Sequence, residues 1–235
     1  MTLQSGHIRA ALFDLDDTLL DRGTAFEATF REFYDTQPDI NSTTEWGEAI
    51  DFFWSLSPHG AIDAQDAALR ITARWPSVPL EPAVFEEWFF STLGQQARPI
   101  DGAMEFVKSL NEAQFPWAVV TNGKKSQVIK LQHSGYIDVV PFAIVSRLFG
   151  ADKPDPRIYH EAIRRLKLSY KGIDDIQVSE ILFVGDNPYT DITGAIGVGM
   201  KTAWVRVTER YPEDVPAPDM EIRSVVELRG LLGVG

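Results

Sequence analysis

Four short apolar runs, each closed by a polar loop, constrain this chain more than anything else in it. Ile8 to Phe13 is broken only by Arg9, while Trp117-Ala118-Val119-Val120, Phe142-Ala143-Ile144-Val145 and Ile181-Leu182-Phe183-Val184 are unbroken. Such runs are the pattern of strands buried on both faces, as strands of a parallel sheet are. Between them the periodicity turns helical: Met104 to Ala113, a segment through Val128, Ile129 and Leu131 ending near Gly135, Pro156 to Leu168, and a short stretch around Ile192 to Ile196. A further strand at Thr202-Ala203-Trp204-Val205 and a last helix from Ser224 to Leu232 follow. Strands alternating with helices imply βαβ units, so the predicted class is α/β.

Residues 20–97 break that alternation. They hold half of the aromatic residues, including Trp46, Trp54, Trp75 and Trp88, without a strand-like run. Ala64 to Trp75 spaces its apolar positions for one helix face behind Asp63 as N-cap, and Glu81-Pro82 opens another helix through Phe85, Trp88, Phe89 and Leu93. The expected organisation is an α/β core of residues 1–19 and 98–235, with a helical lobe of residues 20–97 inserted after the first strand. A chain of 235 residues, 44% hydrophobic, has apolar material for both. Cysteine is absent, which excludes disulfides, thiolate metal sites and cysteine nucleophiles. The formal net charge of -12 disfavours a nucleic acid polymer or an anionic membrane as partner. No apolar run approaches the ~20 residues of a membrane span. No secretory pattern follows Met1 either, so a cytoplasmic protein is expected.

In open α/β sheets ligands bind outside the carboxyl ends of the strands. The polar groups of this sequence lie there. Asp14-Leu15-Asp16-Asp17-Thr18 follows the first run, Thr121-Asn122-Gly123 the second, Lys153-Pro154 comes after the third, and Gly185-Asp186-Asn187-Pro188-Tyr189-Thr190-Asp191 closes the fourth. In an extended turn Asp14 and Asp16, two residues apart, point the same way. One carboxylate can attack phosphorus while its neighbour protonates the leaving oxygen and later activates water. Asp14, the backbone carbonyl of Asp16 and Asp186 offer oxygen ligands suited to Mg²⁺, with Asp191 able to hold a ligand or water from behind. Asp191 is equally compatible with a plain helix N-terminal acid. Thr121 and Asn122 offer a hydroxyl, an amide and backbone N–H groups to a phosphate, although a lone Thr-Asn-Gly is more often a turn. Lys153, in a loop stiffened by Pro154 and Pro156, supplies the local cation an acidic protein needs for an anionic ester.

This ordered set, Asp-x-Asp-x-Thr, then Thr after a strand, then Lys-Pro, then Gly-Asp with a further Asp, resembles the haloacid dehalogenase superfamily. Ala11 to Thr18 and Phe183 to Asp191 carry the closest match. The likeness covers the α/β core, and the position of the lobe between the first two motifs is similar to the superfamily's first subfamily. It implies a Rossmann-like parallel sheet with an inserted α-helical cap, Mg²⁺ as cofactor, and a phosphatase working through an aspartyl-phosphate. By the same likeness Asp14 is the nucleophile, Asp16 the general acid/base, Thr121 and Lys153 phosphate ligands, and Asp186 a metal ligand. Asp16 argues for phosphoester hydrolysis, because dehalogenating members lack a second carboxylate and halide leaves without a proton. The expected substrate is a small phosphometabolite, a nucleoside monophosphate slightly ahead of phosphoglycolate or a sugar phosphate. A phosphomutase keeps the same motifs and stays open as an alternative, as does the oligomeric state. A non-catalytic phospho-binding domain of the receiver type fits poorly, since here the lysine precedes a Gly-Asp strand end. The cap is expected to exclude water and touch the leaving group. Arg22, Phe26, Trp54 and His59 are the candidate contacts, against the plainer reading of such aromatics as the lobe's own core.

Overall fold

The computed structural model describes residues 8–57, 62–207 and 210–235. Among them six strands form one sheet: β1 (Ala10–Phe13), β2 (Trp117–Thr121), β3 (Ala143–Val145), β4 (Ile181–Gly185), β5 (Lys201–Val205) and β6 (Met220–Ile222). The order is β3-β2-β1-β4-β5-β6, with every pairing parallel. The chain winds outward from β1 in one direction and from β4 in the other, so the boundary between β1 and β4 is the topological switch point where such sheets open a crevice. Strands β1, β2 and β4 are buried along their whole length, which is why their sequences are continuous apolar runs. Strand β6, absent from the sequence reading, is an edge strand of three residues with Glu221 turned to solvent, too short and too polar for that signal.

By compactness the chain divides into Met1–Arg22 with Arg98–Gly235, and Gly23–Ala97. The second unit is helical: α1 (Arg22–Asp35), α2 (Pro38–Asn41), α3 (Trp46–Ser55), α4 (Ala64–Arg74) and α5 (Pro82–Gln95). Asp63 caps α4 by accepting from the N–H groups of Gln65 and Asp66, and Glu81 caps α5 through Val84 N–H at 2.8 Å. Phe30 stacks on Phe53 with ring centroids 4.3 Å apart and Phe26 on Trp54 at 4.2 Å, amid Phe85, Phe89 and Ile71. Phe26 is thus part of this unit's core. Trp54 is half-buried beside it and donates to Glu27, while His59 lies outside the described residues.

The α/β unit adds α6 (Ala103–Glu112), α7 (Ser126–His133), α8 (Ser146–Phe149), α9 (Pro156–Ser169), α10 (Thr193–Gly197) and α11 (Arg229–Leu232). Alternate residues of the strands serve opposite faces. Ala10, Leu12, Val120, Ile181 and Phe183 pack with Ile158, Tyr159, Ala162 and Leu166 of α9. Phe13 turns to the other face, edge-on to Phe106 of α6 at 5.9 Å and to Trp117 at 6.0 Å. Each such burial contributes about 1.5–3 kcal/mol, and together they fix the strand ends that carry the polar loops. The last predicted helix divides into a 3₁₀ turn, Val225–Leu228, and α11, with Ser224 outside as the N-cap. So short a segment forms only single turns. Among the described residues no helix is long and apolar enough to cross a membrane.

Candidate active site

Parallel pairing of β1 with β4 sets Phe13 opposite Val184, and the backbone N–H of Asp14 donates to Val184 O at 2.8 Å. Asp14 therefore emerges level with the end of β4, where Gly185 and Asp186 follow. Beyond Asp14 the chain turns sharply: Asp17 adopts a left-handed φ of 55°, and the N–H groups of Leu19 and Leu20 both donate to Leu15 O. Arg22 fastens this turn through its side chain and its N–H, at 2.7 and 3.2 Å from the Asp17 carboxylate. Arg22, a candidate substrate contact in the sequence reading, pairs here with Asp17.

The β4 loop is built around Asp191. Asn187 caps it by accepting from the N–H groups of Tyr189 and Thr190, and Pro188–Ile192 forms a π-helical turn, a rare conformation frequently found at functional sites. That turn brings Asp191, 1% exposed, back against Gly185, and its Oδ2 accepts from Asn187 N–H at 3.0 Å. A Cβ at position 185 would collide with the Asp191 carboxylate, so glycine is required there. The Tyr159 hydroxyl supports the turn from below, donating to Thr190 O at 2.6 Å, and Trp204 Nε1 donates to Asp186 O at 2.8 Å.

Lys153, 3% exposed, joins the two loops. Its Nζ lies 2.6 Å from Asp14 Oδ1 and 2.6 Å from Asp191 Oδ1. Asn122 holds its main chain from both sides: Nδ2 donates to Lys153 O at 2.9 Å and Oδ1 accepts from Lys153 N–H at 2.8 Å. The Asn122 side chain is thereby tied to the lysine loop, with one of its two Nδ2 hydrogens spent on Lys153 O. Asp14, Asp186 and Asp191 each present an oxygen within 4.8 Å of the others, a cluster able to hold a metal ion. Its donor set is wholly carboxylate oxygen, which suits a hard divalent cation. The electrostatics agree with that fit. Burial, reinforced by Asp191 and Asp16 against the opposing Lys153, pushes Asp14 up to about 7. Burial and then the charges of Asp191 and Asp14 raise Asp186 well above the usual carboxylate range. One ammonium does not neutralise three gathered acids.

Asp16 behaves otherwise. Its two oxygens lie 2.7 and 2.6 Å from Lys130 Nζ, and Oδ2 also accepts from Gln127 Nε2 at 3.0 Å. Burial alone would raise its pKa, but Lys130 and Gln127 outweigh that and hold it below the usual value. Gln127 Nε2 reaches on to Thr121 Oγ1 at 2.7 Å, so the end of β2 joins the same network. The sequence reading reaches neither Gln127 nor Lys130. It finds α7 through Val128, Ile129 and Leu131, yet Val128 and Ile129 are only half-buried, and the inward stripe is Ser126, Gln127, Lys130, Leu131 and Ser134. A glutamine and a lysine three residues apart on one helix face were the available signal.

A doubly wound parallel sheet with acidic loops meeting at its switch point is a class of α/β protein that binds its ligand in that crevice, and the comparison with known proteins supplies the chemistry. Residues 8–199 match the haloacid dehalogenase-like hydrolases, and the chain belongs to that family. It is 25% identical to the pyrimidine 5′-nucleotidase YjjG of Escherichia coli over 94% of this chain and 96% of the relative. It is 26% identical to a glyceraldehyde 3-phosphate phosphatase of Pyrococcus abyssi, covering 97% and 93% of the two. Among solved structures it resembles the HAD-hydrolase YfnB of Bacillus subtilis bound to magnesium, with a TM-score of 0.68, 26% identity, and 96% and 99% of the chains covered.

Proposed function

We propose that this hydrolase is a Mg²⁺-dependent phosphomonoesterase that works through an aspartyl-phosphate on Asp14. The observation that carries the reading is the meeting of Asp14, Asp186 and Asp191 at the ends of adjacent strands, with Lys153 between them. Asp14 attacks phosphorus as the bond to the leaving oxygen breaks, and Asp16, whose anion Lys130 and Gln127 favour in the free site, takes up a proton as the ester binds and passes it to that oxygen. Asp16 then takes a proton from water as the water attacks the acyl phosphate, releasing phosphate and restoring Asp14. Lys153, the Thr121 hydroxyl and the backbone N–H of Asn122 hold the phosphate oxygens. The Asp14 carboxylate, the carbonyl of Asp16 and Asp186 hold Mg²⁺, with Asp191 supporting them, consistent with the magnesium of YfnB. When bound, the ion offsets the gathered negative charge and polarises the phosphoryl group.

The substrate is a small phosphometabolite, since the relatives act on a nucleotide and on a triose phosphate. Within that class a nucleoside monophosphate is the first choice. Purified protein is expected to hydrolyse p-nitrophenyl phosphate with Mg²⁺ and not with excess chelator. Asp14→Asn is expected to lower kcat at least about 10³-fold with an unchanged circular dichroism spectrum. Full turnover by that variant would falsify the assignment of the nucleophile. A panel of nucleoside monophosphates, phosphoglycolate and hexose phosphates, compared by kcat/KM, then ranks the substrates.

A further inference from the structure

We propose that Trp204 is a positioning residue for metal selectivity: its indole holds the main chain of Asp186 so that the carboxylate cluster favours Mg²⁺ over the larger Ca²⁺. The inference rests on the reading of Asp186 as a Mg²⁺ ligand given above.

The three acids of the cluster are not held alike. Asp14 has Lys153, and Asp191 has both Lys153 and the N–H of Asn187. Among the described residues no hydrogen-bond donor or ion-pair partner within reach meets the Asp186 carboxylate, so its place depends on its main chain. That main chain starts loose. Residue 185 is glycine because a Cβ there would meet the Asp191 carboxylate, and glycine leaves the backbone around it freer than any other residue. Trp204 supplies the missing restraint. Parallel pairing of β4 with β5 sets it opposite Gly185, and its Nε1–H donates to Asp186 O at 2.8 Å. The side chain is 1% exposed, so water competes little for that bond.

The indole is itself fastened. The Tyr211 ring meets it edge-on, with centroids 4.9 Å apart, and the Tyr211 hydroxyl donates to Pro216 O at 2.7 Å. Pro212, Pro216 and Pro218 fix φ at three places in this segment and limit its freedom. A second, solvent-facing tie runs from the Tyr189 hydroxyl to the Asp214 carboxylate at 3.1 Å. Residues 211–216 thus brace the 185–191 loop at two points. Mg²⁺ demands nearly octahedral oxygen at about 2.0–2.1 Å, whereas Ca²⁺ accepts flexible geometry at about 2.3–2.6 Å. A braced Asp186 favours the smaller ion, and loosening it penalises Mg²⁺ more than Ca²⁺.

The test measures the Mg²⁺ and Ca²⁺ dissociation constants of the full chain by isothermal titration calorimetry, at one pH and one ionic strength. Trp204→Phe keeps an aromatic ring and removes the donor. It is expected to weaken Mg²⁺ at least about tenfold, the scale on which partners behind metal ligands act, and Ca²⁺ by less than about threefold. Should Trp204→Phe not fold, Tyr211→Leu decides in its place. That variant frees the indole without touching its nitrogen, and the preference for Mg²⁺ over Ca²⁺ should fall at least about threefold. Equal weakening of the two ions, which general loosening of the fold would produce, overturns the role of Trp204, as does an unchanged Mg²⁺ constant. Asp186→Asn checks the reading beneath the inference. If it leaves the Mg²⁺ constant as it was, Asp186 is not a ligand, and the Trp204 assignment falls with it. Weaker Mg²⁺ binding in Asp186→Asn without a change of preference in the deciding variant removes the Trp204 assignment alone.

Discussion

Two carboxylates two residues apart are driven in opposite directions by their neighbours. Asp14 is pushed up to about 7 chiefly by burial, and Asp16 is held low once Lys130 and Gln127 outweigh its burial. The sign has a consequence for metal binding. A raised carboxylate favours the folded state only while protonated, so the Asp14 contribution without metal falls as pH climbs from its ordinary 3.8 through about 7. Mg²⁺ requires the ionised form and competes with that proton. The rise in Tm on adding Mg²⁺ should therefore be larger at about pH 7.5 than at about pH 5.5, as thermal unfolding at matched ionic strength can measure. An equal or larger rise at the lower pH contradicts this account.

The β4 loop shows how an element serves these residues. Its π-helical turn returns Asp191 to the strand end, and Tyr159, reaching across from α9, donates to the Thr190 carbonyl within it. Tyr159→Phe removes one of two donors to that carbonyl, which still accepts from Thr193 N–H, and should cost about 0.5–1.5 kcal/mol in urea unfolding. The Mg²⁺ concentration for half-maximal turnover should rise as Asp191 loosens, and an unchanged value would show that the turn holds without the tyrosine. Elements of this kind were unevenly legible in the sequence. Continuous burial wrote β1, β2 and β4 plainly as apolar runs, and the loops behind them delivered Asp14, Lys153, Asp186 and Asp191 to one place. The short edge strand β6 had no such run. On α7 the search for apolar periodicity looked past Gln127 and Lys130, because a polar stripe facing inward has no hydrophobic signature and acquires its meaning only from Asp16 across the crevice. The extended-turn picture of Asp14 and Asp16 also missed their separation onto different lysines, which three-dimensional contacts decide.

At the scale of the whole molecule, the charge of -12 surrounds a site that must accept an anion. Screening should then help rather than hinder encounter: kcat/KM for a dianionic ester at fixed free Mg²⁺ should rise as ionic strength goes from about 10 mM to about 150 mM. A steep fall over that range would mean that local cations dominate the approach. Asn122 bears on a different long-range question. Its amide imitates a peptide group, accepting from and donating to the main chain of Lys153 as a neighbouring strand would. After the excursion through α8, whose first residues Ser146 and Arg147 are bonded to Gly123, this clasp restores the register of the chain, so a change of length confined to residues 148–152 need not drag the ammonium out of place.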